Sequence, residues 1–253
     1  MSDLLDSTLS QSLLPDHLDI WQQTLHWQPT PSQLDQFQRL WTALCQLNAK
    51  VNLTRITSAD EFWEKHLWDS LWGIQPWLEG APQALNTIDI GTGGGFPGFP
   101  AAIAQPDWSI TLLDATRKKV ACLETLRDDL GLGQVRTLCD RAELVGRGLK
   151  ERGSYDLALI RAVGPAASCA EYALPLLKVG GTAVLYRGQW TEAEAEGLQK
   201  ALQQLGGKLV DVRSTLTPLT QGQRHCLSLC KVRETPASFP RKVGVPAHSP
   251  LGN

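Results

Sequence analysis

The chain has 253 residues, enough for one large domain or for a domain with an appendage. Hydrophobic residues make up 42% of the chain and charged residues 20%, which is ordinary for a soluble globular protein. The formal net charge of −2 excludes a globally basic surface, so a nucleic-acid partner would have to bind a local basic patch.

Residues 1–85 are predicted to form a helical N-terminal cap. Apolar residues recur at helical spacing from Leu13 to Trp21, and a longer amphipathic stripe begins just after Pro31. A third helix is predicted over residues 59–72. Seven of the nine tryptophans precede Gly80, and this cluster is interpreted as core in preference to a base-stacking surface.

Short apolar runs alternate with helical stretches after residue 84, and they predict an α/β domain with a mostly parallel sheet over residues 86–233. The predicted strands are 86–90, 109–114, 135–140, 155–161, 182–186, 208–214 and 224–232. Helices are predicted between them, for example over residues 118–130 and 191–205. The connection 215–223 is too short for a crossover helix, so the last two strands should form an antiparallel hairpin.

The segment 234–253 is rich in proline, arginine and lysine, and it is predicted to be a basic tail without regular structure. The six cysteines show no zinc-ligand spacing and are interpreted as reduced and buried, so no metal is expected. Asp3 and Asp6 stand where a signal peptide would be cationic, and no apolar run approaches the roughly 20 residues of a membrane span. These features predict a cytoplasmic protein.

A glycine-rich loop after the first predicted strand is the strongest local signal. Residues 88–98 are Ile-Asp-Ile-Gly-Thr-Gly-Gly-Gly-Phe-Pro-Gly, so a strand leads directly into glycines that open a helix. A dinucleotide site has the pattern GxGxxG, whose third glycine would fall at Phe96. The pattern Asp-x-Gly-x-Gly-x-Gly beginning at Asp89 is instead typical of S-adenosylmethionine-dependent methyltransferases.

Acidic residues near the loop suit the same cofactor. S-adenosylmethionine has no pyrophosphate, and Asp89 is predicted to bind its ammonium group directly or through water. Asp114 ends the second strand, where an acidic residue can accept hydrogen bonds from both ribose hydroxyls of a bound cofactor. A nicotinamide cofactor would use the same feature. The structural alternative is that Asp114 caps the N-terminus of the following helix. Ala142, after the third strand, is expected to pack on the adenine. The predicted fold is therefore a Rossmann-like class I methyltransferase with a seven-stranded, mostly parallel sheet and an antiparallel last strand.

Further motifs follow one another in order along the chain. They are Asn52-Leu53-Thr54, Lys65-His66-x-x-Asp69-Ser70, the glycine loop with Phe96-Pro97-Gly98, Leu113-Asp114 with Lys118-Lys119-Val120, Arg141-Ala142-Glu143, Arg161-Ala162, Gly222-x-Arg224-His225 and Pro240-Arg241-Lys242-x-Gly244-x-Pro246-x-x-Ser249-Pro250-Leu251. Over roughly residues 35–251 the chain resembles the bacterial glucose-inhibited division protein B family. That resemblance implies methylation of N7 of one guanine in 16S ribosomal RNA, within the 30S subunit or as naked RNA.

The loop pattern and the resemblance together imply the site residues. Those expected at the cofactor are Asp89, Gly91, Gly93, Phe96, Asp114, Ala115, Thr116, Ala142, Glu143 and Arg161. Arg161 ends the fourth strand, and it is expected beside the cofactor and the incoming base as the residue that positions them for catalysis. The residues expected to hold RNA are Lys118, Arg141, Arg187 and Arg224. Arg187-Gly188 departs from the family's usual lysine-glycine pair, which keeps the charge but puts a lysine-specific role in doubt.

The chemistry of guanine N7 limits what catalysis requires. N7 carries an in-plane lone pair and no proton, so attack on the methyl group needs no general base, and alignment should supply most of the rate. His66 is accordingly interpreted as bracing the cap or contacting RNA. N7 lies on the deep, narrow major-groove edge of A-form RNA, so the target is expected in a loop or in an opened helix.

Three alternatives remain open at the level of sequence. The chain is a methyltransferase that acts on another substrate, or a non-catalytic RNA-binding assembly factor that keeps the fold, or, least favoured because of Phe96, a nicotinamide-dependent oxidoreductase.

Overall fold

A computed structural model describes residues 13–48, 51, 53–54, 56, 58–81 and 83–252. Helices precede the first strand: α1 Leu18–Leu25, α2 Pro31–Asn48, α3 Ala59–Phe62, a π-helical segment Trp63–Trp68, α4 Asp69–Gly73 and α5 Gln75–Leu78. The predicted start of α2 at Pro31 is confirmed. Its stripe, with Phe37 and Trp41, is buried against the tryptophans of the cap, which confirms that this cluster is core. Asn52 and Arg55 lie outside the described residues.

The helix predicted over residues 59–72 is present but irregular. Ser58 caps its start, because its side chain accepts a hydrogen bond from the Glu61 N–H. In the π-helical segment, the Asp69 N–H bonds to the carbonyl of Glu64, five residues earlier, where an α-helix would use the carbonyl of Lys65. The Lys65 carbonyl is therefore available to another donor.

The described residues form a seven-stranded sheet, and its order is β3-β2-β1-β4-β5-β7-β6. The strands are β1 Asn86–Ile90, β2 Ser109–Asp114, β3 Val135–Cys139, β4 Tyr155–Arg161, β5 Leu177–Arg187, β6 Gly207–Leu216 and β7 Gln223–Lys231. Pairing is parallel from β3 through β5, and β7 is antiparallel to both of its neighbours. The predicted fold class, with its final hairpin and antiparallel last strand, is confirmed.

Helices connect the strands and cover both faces of the sheet, as a parallel sheet requires. They are α6 Gly98–Ala104, α7 Arg117–Leu130, α8 Ala142–Arg147, α9 Ala166–Ala173 and α10 Glu192–Leu205. Alternate residues of β4 face opposite sides: Leu157 belongs to the core shared with the cap, and Ala158 belongs to the core shared with α9 and α10. Within the described ranges, no helix is long and apolar enough to cross a bilayer.

Four strands differ from their predicted bounds, and β6 and β7 differ by no more than two residues at either end. β3 ends at Cys139, one residue early, because Asp140 turns to accept a hydrogen bond from the Arg141 N–H. β5 begins at Leu177, five residues before the prediction, and a register shift against β4 accommodates the glycines at 180 and 181. Those glycines interrupt the apolar alternation on which the prediction depended.

The predicted irregular tail is partly wrong. Residues 245–248 form a short helix, α11 Val245–His248, and the side chain of Leu251 is buried in the core with α9 and α10. The tail therefore packs on the α/β domain.

Candidate functional site

The carboxyl ends of β1 and β4 mark the point where strand order reverses, since β2 and β3 lie on one side and β5 on the other. Open α/β sheets bind ligands in the crevice at such a point. Two cavities flank it, one of about 230 Å³ beside β1, β2 and β3, and one of about 770 Å³ beside β4, β5 and the start of β7.

The glycine loop connects β1 to α6 in backbone conformations that side chains rarely adopt. Gly91 has φ 71°, and a Cβ there would lie 2.6 Å from Val163 Cγ2. Beneath the loop, Asp89 Oδ2 accepts hydrogen bonds from Thr92 Oγ1 at 2.6 Å and from the Gly98 N–H at 2.8 Å. Among the described residues, Asp89 Oδ1 has no hydrogen-bond partner. Asp89 is fully buried and lines neither of the two cavities, so its carboxylate supports the loop from beneath.

Burial raises the pKa of Asp89 to about 6, against the hydrogen bonds from Thr92 and Gly98. The folded chain therefore holds this proton more tightly than the unfolded chain, whose ordinary aspartate value is near 4. The stability contributed by Asp89 is present below pH ~4 and is lost as the pH rises through about 6. At pH 7 the loss is about 3 kcal/mol.

Asp89→Asn is expected to remove this pH dependence. Between pH 4 and pH 7, urea unfolding should show the free energy of unfolding of the variant rising by about 3 kcal/mol relative to the parent chain. Asp156→Asn is the matched control of opposite sign, since hydrogen bonds from Lys178 and the Asn86 N–H outweigh burial and lower the pKa of Asp156. Parallel pH profiles for the parent and Asp89→Asn would contradict the assignment.

Asp114 links the end of β2 to the glycine loop. Its Oδ2 accepts a hydrogen bond from the Gly93 N–H at 3.1 Å, and its Oδ1 accepts one from the Thr116 N–H at 2.8 Å. Each carboxylate oxygen has a further lone pair. The N-cap of α7 is Thr116 and not Asp114, so the helix-cap alternative does not describe this aspartate. These two hydrogen bonds fix the orientation of the carboxylate, as recognition of two adjacent hydroxyls requires.

Five of the ten residues expected at the cofactor line the smaller cavity, namely Gly91, Asp114, Ala115, Ala142 and Glu143, whereas Arg161 lines the larger one and Asp89, Gly93, Phe96 and Thr116 line neither. The lining of the smaller cavity comprises Ile90, Gly91, Leu113, Asp114, Ala115, Asp140, Arg141, Ala142, Glu143, Val163, Tyr172 and Ala247. Thr116 follows immediately as an exposed residue at the head of α7, with Lys118 exposed in the first turn. The apolar portion of the lining suits a flat aromatic ring, and the carboxylate of Asp114 suits a ribose.

Glu143 lines this cavity, but its carboxylate already has partners. The side chain is 1% exposed, and Oε1 accepts hydrogen bonds from the Gly244 N–H at 2.9 Å and from Arg141 Nη2 at 3.1 Å. Burial alone would raise the pKa of Glu143, but these bonds outweigh it and lower the pKa. Glu143 therefore connects the cavity to the C-terminal tail, and Arg141, expected at RNA, is paired with it.

The larger cavity is lined by cations with two carboxylates among them. Its lining comprises Lys65, His66, Asp69, Arg161, Ala162, Tyr186, Arg187, Gly188, Gln189, Glu194 and Arg224. Ala162 has φ 56°, a left-handed conformation that is uncommon for a residue other than glycine and that recurs at functional sites. Within the described ranges, no cluster of His, Cys, Asp and Glu side chains is placed to hold a metal ion.

Arg161 faces the larger cavity, where it fixes the cap to the sheet. Its Nη1 donates to the Lys65 carbonyl, the one left available by the π-helical segment, at 2.7 Å and to Asp69 Oδ2 at 2.9 Å. Asp69 Oδ1 accepts from Arg224 Nε at 3.2 Å. The guanidinium has five N–H donors, so donors remain for a ligand. Asp69, which belongs to the motif Lys65-His66-x-x-Asp69-Ser70, joins the arginines of β4 and β7.

His66 and Phe96 support Arg161 from below. Their rings stack at 4.1 Å, and Arg161 lies 5.8 Å from the centre of the Phe96 ring. Burial, and then the charge of Arg161, lowers the pKa of His66 well below its usual value, so the ring is neutral at pH 7. Arg161 Nη2 can only donate, so His66 Nδ1 accepts at 3.1 Å and Nε2–H donates to Thr54 Oγ1 at 2.8 Å. Phe96, expected at the cofactor, thus lies between the glycine loop and Arg161.

Comparison with known proteins identifies the family. A family model described as rRNA small subunit methyltransferase G, GidB, matches residues 33–227. The chain belongs to the GidB family. The ribosomal RNA small subunit methyltransferase G of Trichormus variabilis is 54% identical over 243 residues, which are 95% of this chain and 99% of the relative. Its namesake in Synechococcus elongatus is 54% identical over 232 residues, covering 92% and 96%.

Solved structures agree with this fold. A cofactor-bound protein, Rv0187 from MTB, superposes with a TM-score of 0.54 at 20% identity and covers 88% of this chain and 100% of its own. NSun6 from Pyrococcus horikoshii, with SFG, superposes with a TM-score of 0.52 at 17% identity and covers 72% and 57%. Because both sequence identities are below 25%, the similarity of these structures to this chain concerns the fold alone.

Arg187 departs from the lysine expected of the GidB family, and its guanidinium has protein partners. Nη1 donates to the Gly164 carbonyl at 2.6 Å, and Nη2 pairs with Glu194. A lysine ammonium could not form this forked contact in the same plane. Arg187 therefore forms part of the wall of the larger cavity, and its positive charge still faces that cavity.

The sequence analysis did not identify some of the residues that line the two cavities. Val163, Tyr172 and Glu194 belong to no motif considered there. Glu194 forms a capping arrangement with Thr191, whose side chain accepts from the Glu194 N–H, and that pattern is visible in the sequence but indicates only a helix start. Ala247 was missed because the tail was expected to be irregular; the signal that could have placed it is the acidic Glu171 within an apolar helix, which requires a buried cation.

Proposed function

We propose that this chain transfers a methyl group from S-adenosylmethionine to N7 of a guanine in 16S ribosomal RNA. The observation that carries the proposal is the pair of adjoining cavities at the switch point in a member of the GidB family: one suits an adenosine, and the other is lined by Lys65, Arg161, Arg187 and Arg224. A protein that methylates ribosomal RNA is expected in the cytoplasm.

The residues of the smaller cavity fit S-adenosylmethionine. Asp114 would hold the ribose with one free lone pair on each oxygen, Ala142 would pack on the adenine, and Gly91 would let the cofactor approach the backbone. Asp89 lines neither cavity, so its unpartnered Oδ1 would meet the ammonium group through water and not directly. When bound, the cofactor supplies a methyl group that is already activated by its sulfonium.

The residues of the larger cavity suit an RNA nucleotide. Four cations there attract the phosphate backbone, which supplies much of the affinity in protein–nucleic acid complexes. Guanine N7 needs no base to remove a proton, and the neutral His66, whose Nδ1 is already bonded to Arg161, is in keeping with that chemistry. Methylation leaves a positive charge on the ring, which the carboxylates of Asp69 and Glu194 in the lining would offset.

The test is methyl transfer from radiolabelled S-adenosylmethionine to unmodified 30S subunits and, in a second arm, to naked 16S ribosomal RNA. Nucleoside analysis should return the label as 7-methylguanosine, with the assembled subunit the better substrate. Label in another nucleoside would contradict N7 as the target. Cofactor binding by calorimetry without label in either arm would contradict ribosomal RNA as the substrate.

A further inference from the structure

The C-terminal tail contributes to the smaller cavity. Ala247, in α11, lies in its lining opposite the carboxyl ends of β1 and β2, together with Ala142 and Tyr172. We propose that residues 240–251 form a fixed wall of the adenosine cavity, so that docking of the tail and binding of the adenosine of S-adenosylmethionine stabilise each other. This inference rests on the proposed function, since it assigns that cavity to the cofactor.

A buried carboxylate anchors the beginning of the wall. Glu171 in α9 is fully buried, and Arg241 meets it through three donors: the backbone N–H and Nε, at 2.7 and 3.0 Å from Oε1, and Nη2, at 2.7 Å from Oε2. Charge-assisted, forked contacts of this kind are stronger and more directional than neutral hydrogen bonds. Neither residue lines the cavity, so the anchor acts on the cavity only through the tail.

Two further hydrogen bonds fix α11 itself. Glu143 accepts from the N–H of Gly244, the residue before the helix, and Ser168 Oγ donates to the Pro246 carbonyl at 2.6 Å. These anchors stand immediately before Ala247, one on α8 and one on α9. Because Glu143 also lines the cavity, its carboxylate connects the tail and the ligand site directly.

The tail packs closely against α8. A Cβ on Gly146 of α8 would lie 2.7 Å from Pro240 Cγ, so this side of α8 accepts the tail only because it lacks a side chain. Beyond α11, Leu251 is buried among the residues of α9 and α10. The wall is thus held at both ends and in the middle.

Reciprocity follows from thermodynamic linkage. A ligand that contacts the docked tail favours docking by the same free energy by which docking favours the ligand. Hydrogen exchange of the amides of residues 240–251 should therefore slow at least about fivefold when S-adenosylmethionine is added at saturation. Exchange in this segment that is unaffected by the ligand would overturn the proposal.

The decisive variant adds bulk to the wall without disturbing the fold. Ala247 is exposed at the cavity surface, so Ala247→Trp is expected to leave the thermal midpoint unchanged while raising the Kd for S-adenosylmethionine in calorimetry at least 30-fold, which is about 2 kcal/mol. Ala237→Trp is the matched control: it makes the same change at an exposed alanine of the same tail that is absent from the cavity lining, and its Kd should equal that of the parent chain.

A second variant tests the anchor away from the cavity. Replacing both partners, in Glu171→Met with Arg241→Met, removes one anchor and so weakens docking of the tail without leaving a lone buried charge. Its Kd for S-adenosylmethionine is expected to rise about tenfold with an intact far-ultraviolet spectrum. If this variant, Ala247→Trp and the parent chain all had the same Kd, the role of the tail as a cavity wall would be overturned, and the proposed function would not be affected. A folded parent chain that gives no heat with S-adenosylmethionine would overturn the proposed function as well.

Discussion

Replacing Arg161 by alanine is expected to lower the turnover number for methyl transfer at least about 100-fold, while the Kd for S-adenosylmethionine changes less than about threefold. Arg161 lines the larger cavity and not the smaller one, and it ties the Lys65 carbonyl, His66 and Asp69 into one arrangement. Its loss should displace the incoming base, and misplacement of a reacting atom by about 1 Å can cost roughly 100-fold.

Arg213→Ala separates this role from simple bracing of the cap. Arg213 also binds the cap helices, through the carbonyls of Trp72 and Gly73 and the side chain of Gln75, but it lies outside the larger cavity. Both variants should lose roughly 1–3 kcal/mol in the free energy of unfolding. Only Arg161→Ala should lose turnover, measured in single-turnover assays at saturating cofactor. Equal loss of turnover in both would show that Arg161 is scaffolding.

Replacing Asp114 by alanine is expected to raise the Kd for S-adenosylmethionine about 100-fold, and replacing it by asparagine about tenfold. Each hydrogen bond from a ribose hydroxyl to an ionised carboxylate contributes about 1.5–3 kcal/mol, and 1.4 kcal/mol is a factor of ten. The alanine variant also frees the Gly93 N–H and loosens the glycine loop. Asparagine keeps one acceptor, so its effect is smaller.

Asp156→Ala is the control for this measurement. Asp156 likewise accepts a backbone N–H, that of Asn86, and pairs with Lys178, but it lies at the amino end of β4, far from the switch point. Calorimetry should give Asp156→Ala the Kd of the parent chain. A normal Kd for Asp114→Ala would contradict the assignment of the smaller cavity to the ribose.

Local patterns accounted for much of the fold. The bounds of β1, β2 and β4 were predicted correctly because each strand is a short apolar run that ends at a turn signal. The insertion of β7 between β5 and β6 was not predicted, since a hairpin fixes which strands pair but not which of them meets the rest of the sheet. That insertion is what brings Arg224 to the carboxyl edge beside Arg161.

The site was predictable where it is built from the carboxyl ends of neighbouring parallel strands. The residues of the glycine loop, Asp114 and Ala142 lie close together because parallel strands end at one edge of the sheet. The π-helical segment was not predictable, because the carbonyl that it leaves free, that of Lys65, bonds to Arg161, 96 residues away. The tail was missed for the same reason: its partners, Glu143 and Glu171, lie far back in the sequence.

The order of α11 after all seven strands of the sheet has a consequence for biosynthesis. A ribosome that has made residues 1–161 has already produced the glycine loop, Asp114 and Arg161. The larger cavity nevertheless lacks Arg224 at this stage, and the smaller cavity lacks Ala247. Because domains fold during synthesis from the N-terminus onward, neither cavity is complete until the chain has passed the last strand and, for the smaller cavity, α11. Under the proposed function, a chain that stops before residue 224 should therefore bind S-adenosylmethionine and RNA more weakly than the chain of 253 residues.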